Sequence, residues 1–224
     1  MGTSHQPVAR PVIDGGPVEI ARAFFSLPES AAYAVGGGMA AIAYGVIARP
    51  TEDIDLFRDR RRAGVGPLEA ADAFADAARG RGWLVRWARR FPEYARIEIV
   101  TPQVGLLVDI AFETFDLPVQ MTVLGPTVAE QDVAVGKVLA LFDRAEARDF
   151  ADVFEFASRF DRDELLEIAM DRDGGLGRAD LAERIRRVTE VLGPAHFPEM
   201  LRGRFDEMQT FYQSWRSELL RAGR

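Results

Sequence analysis

Up to about residue 125 the chain mixes short apolar or every-second-residue stretches with a few helical ones, and after Pro126 only helical spacing remains. Val18, Ile20, Ala21, Phe24 and Phe25 predict a helix from Pro17 to Phe25, with Pro17 suited to its first turn. Ala31 to Val35 reads as a buried strand, broken by Gly36, Gly37 and Gly38, from which a helix over Met39 to Val46 starts. Asp53 to Phe57 is the next strand, with Ile54 and Leu56 on one face. Leu68, Ala71, Phe74 and Ala78 place a helix over Pro67 to Arg79. Strands are expected at Trp83 to Trp87, Ala95 to Val100 and Gly105 to Phe112, with a short one at Val119 to Val123. The charged, proline-containing RRFPEY segment joins the first two of these.

The second half predicts helices over Val128 to Phe142, Glu146 to Phe160, Asp163 to Met170, Arg178 to Val191 and Pro198 to about Arg221. Glycines 174 and 175 and the Gly193-Pro194 pair mark turns between them. The fold class is therefore α+β: an α/β unit over residues 17–125, then a helical unit over 126–224. The first 16 residues, rich in Pro, Gly and small polar types, are expected to be irregular.

Alternation also places chemistry. Asp53 and Asp55 fall on the strand face opposite Ile54 and Leu56, with α-carbons about 6.6 Å apart. Two carboxylates so placed repel and tend to take up protons unless a cation lies between them. Mg²⁺ suits such a pair, because it binds a few carboxylates together with water and substrate phosphates. Paired ions about 3.5 to 4 Å apart are usual for phosphoryl and nucleotidyl transfer, so one or two Mg²⁺ ions are expected. Asp109, the only charged residue in LLVDIAF, is the natural third metal ligand; a lone strand carboxylate can also cap a turn or pair an arginine. Gly36, Gly37 and Gly38 feed a helix, a turn that lets backbone N–H groups approach phosphate oxygens. No Gly-Lys-Ser/Thr follows and no G-x-G-x-x-G can be read, so this is neither a Walker loop nor a dinucleotide fingerprint. A glycine triplet alone is an ordinary turn and a DxD alone an ordinary solvated face; together, between apolar runs, they point to a nucleotide-and-metal site.

Composition narrows the chemistry. With 48% hydrophobic and 28% charged residues the chain is an ordinary globular protein, and no apolar run approaches the roughly 20 residues that span a bilayer, so a cytoplasmic location is expected. There is no cysteine, which excludes disulfides and thiolate zinc sites, and His5 and His196 are too few for a histidine metal cluster or triad. A net charge of −7 argues against nonspecific coating of nucleic acid. Of 28 basic residues only Lys137 is lysine, which makes it a candidate for a role that the arginine fork cannot fill. Arg58 to Arg62, with Arg79, Arg81, Arg86, Arg89 and Arg90 around Trp83 and Trp87, could form a basic wall beside the site or simply the wet face of a sheet.

The glycines followed by Asp53 and Asp55 in TEDIDLF resemble the signature of the DNA polymerase β-like nucleotidyltransferase superfamily. GGMA at 37–40, Arg49, Thr51 and DIDLF at 53–57 are similar, more narrowly, to the AbiEii/AbiGii toxin family, which includes the mycobacterial MenT toxins. Lys137, Arg144, Arg148, Asp149 and Asp152 look like that family's K…R…RDxxD helical motif. Met39 stands where threonine or serine is common, and the helices after residue 160 carry no matching motif. The resemblance implies a polymerase β-like mixed sheet with flanking helices, completed by an all-helical C-terminal half. It implies Asp53 and Asp55 as metal ligands and catalytic residues with Lys137 and Asp152. Gly36, Gly37, Gly38, Thr51, Lys137, Arg144 and Arg148 would bind the nucleotide, and Asp152 would either orient Lys137 or help deprotonate the attacking hydroxyl. It further implies transfer of a nucleoside monophosphate from an NTP to the 3′ end of tRNA, by a toxin held in check by a cognate antitoxin. Two other readings stay open: transfer to a small molecule or protein, and a non-catalytic NTP-binding module.

Overall fold

The computed structural model describes residues 13, 15–197 and 199–222, so the expectation for the first 16 residues lies largely outside it, as does Pro198. Among the described residues a seven-stranded mixed sheet runs in the order β3-β4-β5-β2-β1-β7-β6. At its centre, β1 (Tyr33–Gly36) is buried along its whole length and pairs antiparallel with β2 (Asp53–Arg58), while β2 pairs parallel with β5 (Gly105–Phe112). The glycines carry the chain from β1 straight into α2 (Gly37–Ala43).

α1 (Gly15–Phe25) and α3 (Pro67–Gly80) cover one face of the sheet. Phe24 meets Tyr33 and Phe74 edge-to-face at 5.5 and 5.4 Å, and the alanine face of α3, Ala70, Ala71 and Ala78, is fully buried. Aromatic pairs of this kind add about 0.5–1.5 kcal/mol each beyond the area they bury.

β3 (Leu84–Phe91) and β4 (Tyr94–Val100) form a hairpin in which β3 runs through the arginines expected to be a connection. β3 is an edge strand, and an edge tolerates charge on both faces. β7 (Gly125–Thr127) was not expected: it pairs with β6 (Gln120–Thr122) and, at Thr127 beside Val35, joins the central strands in parallel. The change of character near residue 125 thus falls inside a strand of the sheet.

The second half supplies α4 (Glu130–Asp143), α5 (Ala147–Phe156), α6 (Arg162–Arg172), α7 (Arg178–Glu190), α8 (Glu199–Arg202) and α9 (Phe205–Ala222). α5 begins with a reciprocal cap between Glu146 and Asp149 and ends four residues before the expected Phe160. The last expected helix is two helices interrupted at Gly203, the poorest non-proline helix former. α9 matters for the site because Tyr212, fully buried, donates its hydroxyl to the Phe150 carbonyl at 2.7 Å and packs edge-on to the Phe150 ring. The motif-free tail thereby braces the helix that carries Asp149 and Asp152. No helix among the described residues is long and apolar enough to cross a membrane.

Candidate active site

The alternation of β2 does bring Asp53 and Asp55 to one face, where both are half-buried while Ile54 and Leu56 are fully buried. Parallel pairing with β5 sets Asp109 directly beside Asp55. One oxygen from each of Asp53, Asp55 and Asp109 lies within 4.8 Å of the others. Burial, and then the charges of Asp53 and Asp109, push the Asp55 carboxyl up to about 7. A cluster of carboxylate oxygens in which Asp55 is pushed up by its acidic neighbours fits a hard divalent cation. Thr51 Oγ1, at the edge of the same face, donates to Asp53 at 2.6 Å.

Asp109 answers to both readings of the sequence, because besides joining the triad it accepts from Tyr94 Oη at 2.7 Å and from Arg96 Nε and Nη2 at 2.6 and 2.5 Å. Burial, then the bond to Asp109, pushes the Tyr94 hydroxyl up to about 12. Sequence reasoning missed Tyr94 and Arg96. Their signal was in the alternation of β4: Tyr94, Arg96 and Glu98 share the face opposite the buried Ala95, Ile97 and Ile99, and Arg96 is in register with Asp109.

The glycine turn is held against the carboxylates. Gly37 has φ +59°, and a Cβ there would sit 1.7 Å from Asp55 Oδ2. Gly36 is constrained from the other side, where a Cβ would lie 2.3 Å from the Phe57 ring. Because α2 has only seven residues, close approach of backbone matters here more than a helix dipole. Gly37→Ala should therefore abolish nucleotide transfer and lower stability by about 1–3 kcal/mol, from left-handed strain and displacement of Asp55. Activity assays and thermal melts of the purified variant check both effects.

Lys137 and Asp152, far from Asp53 in sequence, are brought to the same place. Lys137 Nζ lies 3.0 Å from Asp152 Oδ2, and Arg49 grips both oxygens of Asp152 at 2.9 and 2.7 Å. Asp152 is 1% exposed and makes no pair with Arg148 four residues before it; Arg148 pairs with Glu146 at 2.9 Å. Burial would raise the Asp152 carboxyl, but Lys137 and Arg49 outweigh it and hold it below its ordinary value. Arg49 is the partner that spacing alone could not reveal. Arg144 pairs in two-point fashion with buried Asp149, which also accepts the Glu146 N–H.

These groups surround a cleft of about 440 Å³. Gly36, Gly37, Gly38, Thr51, Asp53, Asp55, Asp109, Lys137, Arg144 and Arg148 all line it, joined by Arg49, Tyr94 and Arg96. Asp152 does not: it lies behind Lys137 and Arg49 rather than in the cleft. The cleft is also lined by Asp132 and Arg172, a buried ion pair in which Asp132 accepts the Leu117 N–H at 2.8 Å. The basic wall does not reach the cleft. Arg79, Arg86 and Arg90 pair with Asp76, Glu98 and Asp72, and Trp83 is buried.

A mixed sheet that presents strand carboxylates beside a glycine turn, under a helix bearing a buried lysine, defines a nucleotidyltransferase. The sequence profile of the nucleotidyl transferase AbiEii toxins of type IV toxin–antitoxin systems matches residues 21–218, and the chain belongs to that family. Solved structures share the fold. JHP933 from Helicobacter pylori is similar with a TM-score of 0.54 at 14% identity, over 95% of this chain and 97% of that one. MenT4, a nucleotidyltransferase toxin from Mycobacterium tuberculosis, is similar with a TM-score of 0.53 at 15% identity, over 89% and 92%. No curated protein matches the chain in sequence.

Proposed function

We propose that this toxin transfers a nucleoside monophosphate from an NTP to the 3′-terminal hydroxyl of tRNA in a Mg²⁺-dependent reaction, in the cytoplasm and under restraint by a cognate antitoxin. The observation that carries the reading is the convergence of the Asp53, Asp55 and Asp109 cluster with Lys137, Arg144 and the Arg49–Asp152 pair on one cleft. In the reaction the acceptor oxygen bonds to the α-phosphorus, the bond between that phosphorus and its bridging oxygen to the β-phosphate breaks, and pyrophosphate leaves.

Asp53, Asp55 and Asp109 would hold the metal, one or two ions. Bound there, Mg²⁺ would polarise phosphoryl oxygens and make the acceptor hydroxyl easier to deprotonate. Lys137 would neutralise the triphosphate, with Arg144 and Arg148 along its length and Gly36, Gly37 and Gly38 giving the phosphates close access to backbone. Thr51, Tyr94 and Arg96 would fix the rotamers of Asp53 and Asp109. Of the two roles open to Asp152, its surroundings favour one. A carboxylate behind the cleft, gripped by two cations and held below its ordinary value, is a poor proton acceptor and a good anchor. We therefore assign it to positioning Lys137.

Incubation of the purified protein with each labelled NTP, Mg²⁺ and total tRNA should label RNA with at least one nucleotide. Label on a protein or a metabolite while tRNA stays unlabelled would assign the same chemistry to another acceptor. Toxicity that survives Asp53→Ala in cells would instead point to a module that binds without catalysis.

A further inference from the structure

In the row of residues next to the carboxylates along the same sheet face, only Tyr94 enters the chemistry above, through its hydrogen bond to Asp109. In register across β1, β2, β5 and β4, the carboxylate row is Gly36, Asp55, Asp109 and Arg96, and the neighbouring row is Ala34, Phe57, Ala111 and Tyr94. The two rows are two residues apart along each strand, about 7 Å, which is the order of the separation between a nucleotide's phosphate and its base. Phe57, Ala111 and Tyr94 are each half-buried and each line the cleft. In register the small Ala111 stands between the aromatic residues Phe57 and Tyr94, the Phe57 ring leaning over Gly36 and Tyr94 reaching diagonally to Asp109.

The helix beside this floor carries a second oddity. Gly136 lines the cleft immediately before Lys137, in the middle of α4, with Ala140 one turn on. A Cβ at Gly136 would meet nothing within 4 Å, and its φ is not in the left-handed region. Neither packing nor backbone conformation calls for glycine there, and glycine is the poorest non-proline helix former. What its bareness preserves is room in the cleft.

We propose that the cleft contains a nucleobase slot, floored by Ala111 between Phe57 and Tyr94 and kept open on the α4 side by Gly136. The inference rests on the nucleotidyltransferase reading of the cleft and names what the space beside the carboxylates takes: the flat face of a base, held by stacking. That base belongs to the donor NTP or to the terminal nucleotide of the RNA acceptor, and the two sources separate in binding experiments.

The test uses the full-length protein, wild type and as Gly136→Ala, Gly136→Leu and Phe57→Ala. Gly136→Ala should raise the Tm by about 2–4 °C, since it only improves the helix. Gly136→Leu and Phe57→Ala should weaken binding of each NTP with Mg²⁺, measured without acceptor, by about tenfold or more, while inorganic tripolyphosphate binds as to the wild type. Unchanged NTP binding with a KM for RNA raised by a similar factor places the acceptor's base in the slot. A lower Tm in Gly136→Ala overturns the proposal, because glycine would then be structural. It is equally overturned if NTP binding and RNA KM both stay at wild-type values, or if NTP and tripolyphosphate binding weaken together. Absence of transfer by the wild-type protein would count against the tRNA reading alone, since NTP binding tests the slot by itself.

Discussion

Asp55→Asn should abolish nucleotide transfer and at the same time make the metal-free protein more stable. The activity arm follows from the triad: losing one of three carboxylates removes a metal ligand whose ion supplies several kcal/mol, so transfer should fall by about three orders of magnitude or more. The stability arm follows from charge. Asp55 is pushed up to about 7 by burial, then by Asp53 and Asp109, against an ordinary 3.8. Since the folded value exceeds the unfolded one, ionised Asp55 opposes folding. The penalty is absent below the unfolded value, grows as pH rises from about 4, and is complete above about 7. At about 1.4 kcal/mol per pH unit it reaches roughly 4 kcal/mol as an upper figure. Asparagine keeps the shape and removes the charge. Thermal melts in a chelator between pH 5 and 8 should show the variant above the wild type, with the gap widening towards pH 8. Added Mg²⁺ should stabilise the wild type more than the variant. A wild type that melts at the same temperature with and without divalent cation would contradict the metal assignment.

Asp152→Ala should have the opposite signature, with both activity and stability falling. The substitution leaves Lys137 and Arg49 enclosed with their shared counter-ion removed, and breaking a buried pair in this way costs about 3–5 kcal/mol. The folded Asp152 carboxyl lies below its ordinary value, so its stabilising contribution is present at neutral pH and is lost only on acidification through that lowered value. Lys137 without Asp152 has nothing to hold its ammonium in place, so KM for NTP should rise together with the loss of kcat. Combining Lys137→Met with Asp152→Ala removes one of the stranded cations and should restore part of the stability but none of the transfer. A double variant no more stable than Asp152→Ala would mean that the buried lysine is not what the aspartate compensates. Denaturant melts and NTP titrations of the wild type, Asp152→Ala, Lys137→Met and the double variant decide it.

Much of the site was readable because it is written in local periodicities. A period of two puts Asp53 and Asp55 on one face wherever the strand lies, and the glycine triplet after an apolar run ends one element and begins another. The helical half was readable in the same way, from the spacing of its apolar residues. Two features misled: the arginines of β3, which an edge strand can carry, and Pro126, which stands in β7 although it reads as the opening of the helical half.

The sequence by itself determined the kinds of group in the site and their local facing: carboxylates without histidine or cysteine, a single lysine, and glycines where only backbone can be close. Tertiary structure decided which of these groups meet. The parallel register of β2 with β5 sets Asp109 beside Asp55, and the antiparallel register of β4 with β5 gives Asp109 to Arg96. Arg49 reaches Asp152 across 103 residues, so the aspartate that the resemblance placed among the catalytic residues stands behind the cleft, gripped by two cations. Strand register and helix docking are set by the burial of whole faces against distant partners, and no local pattern of residues encodes the partner.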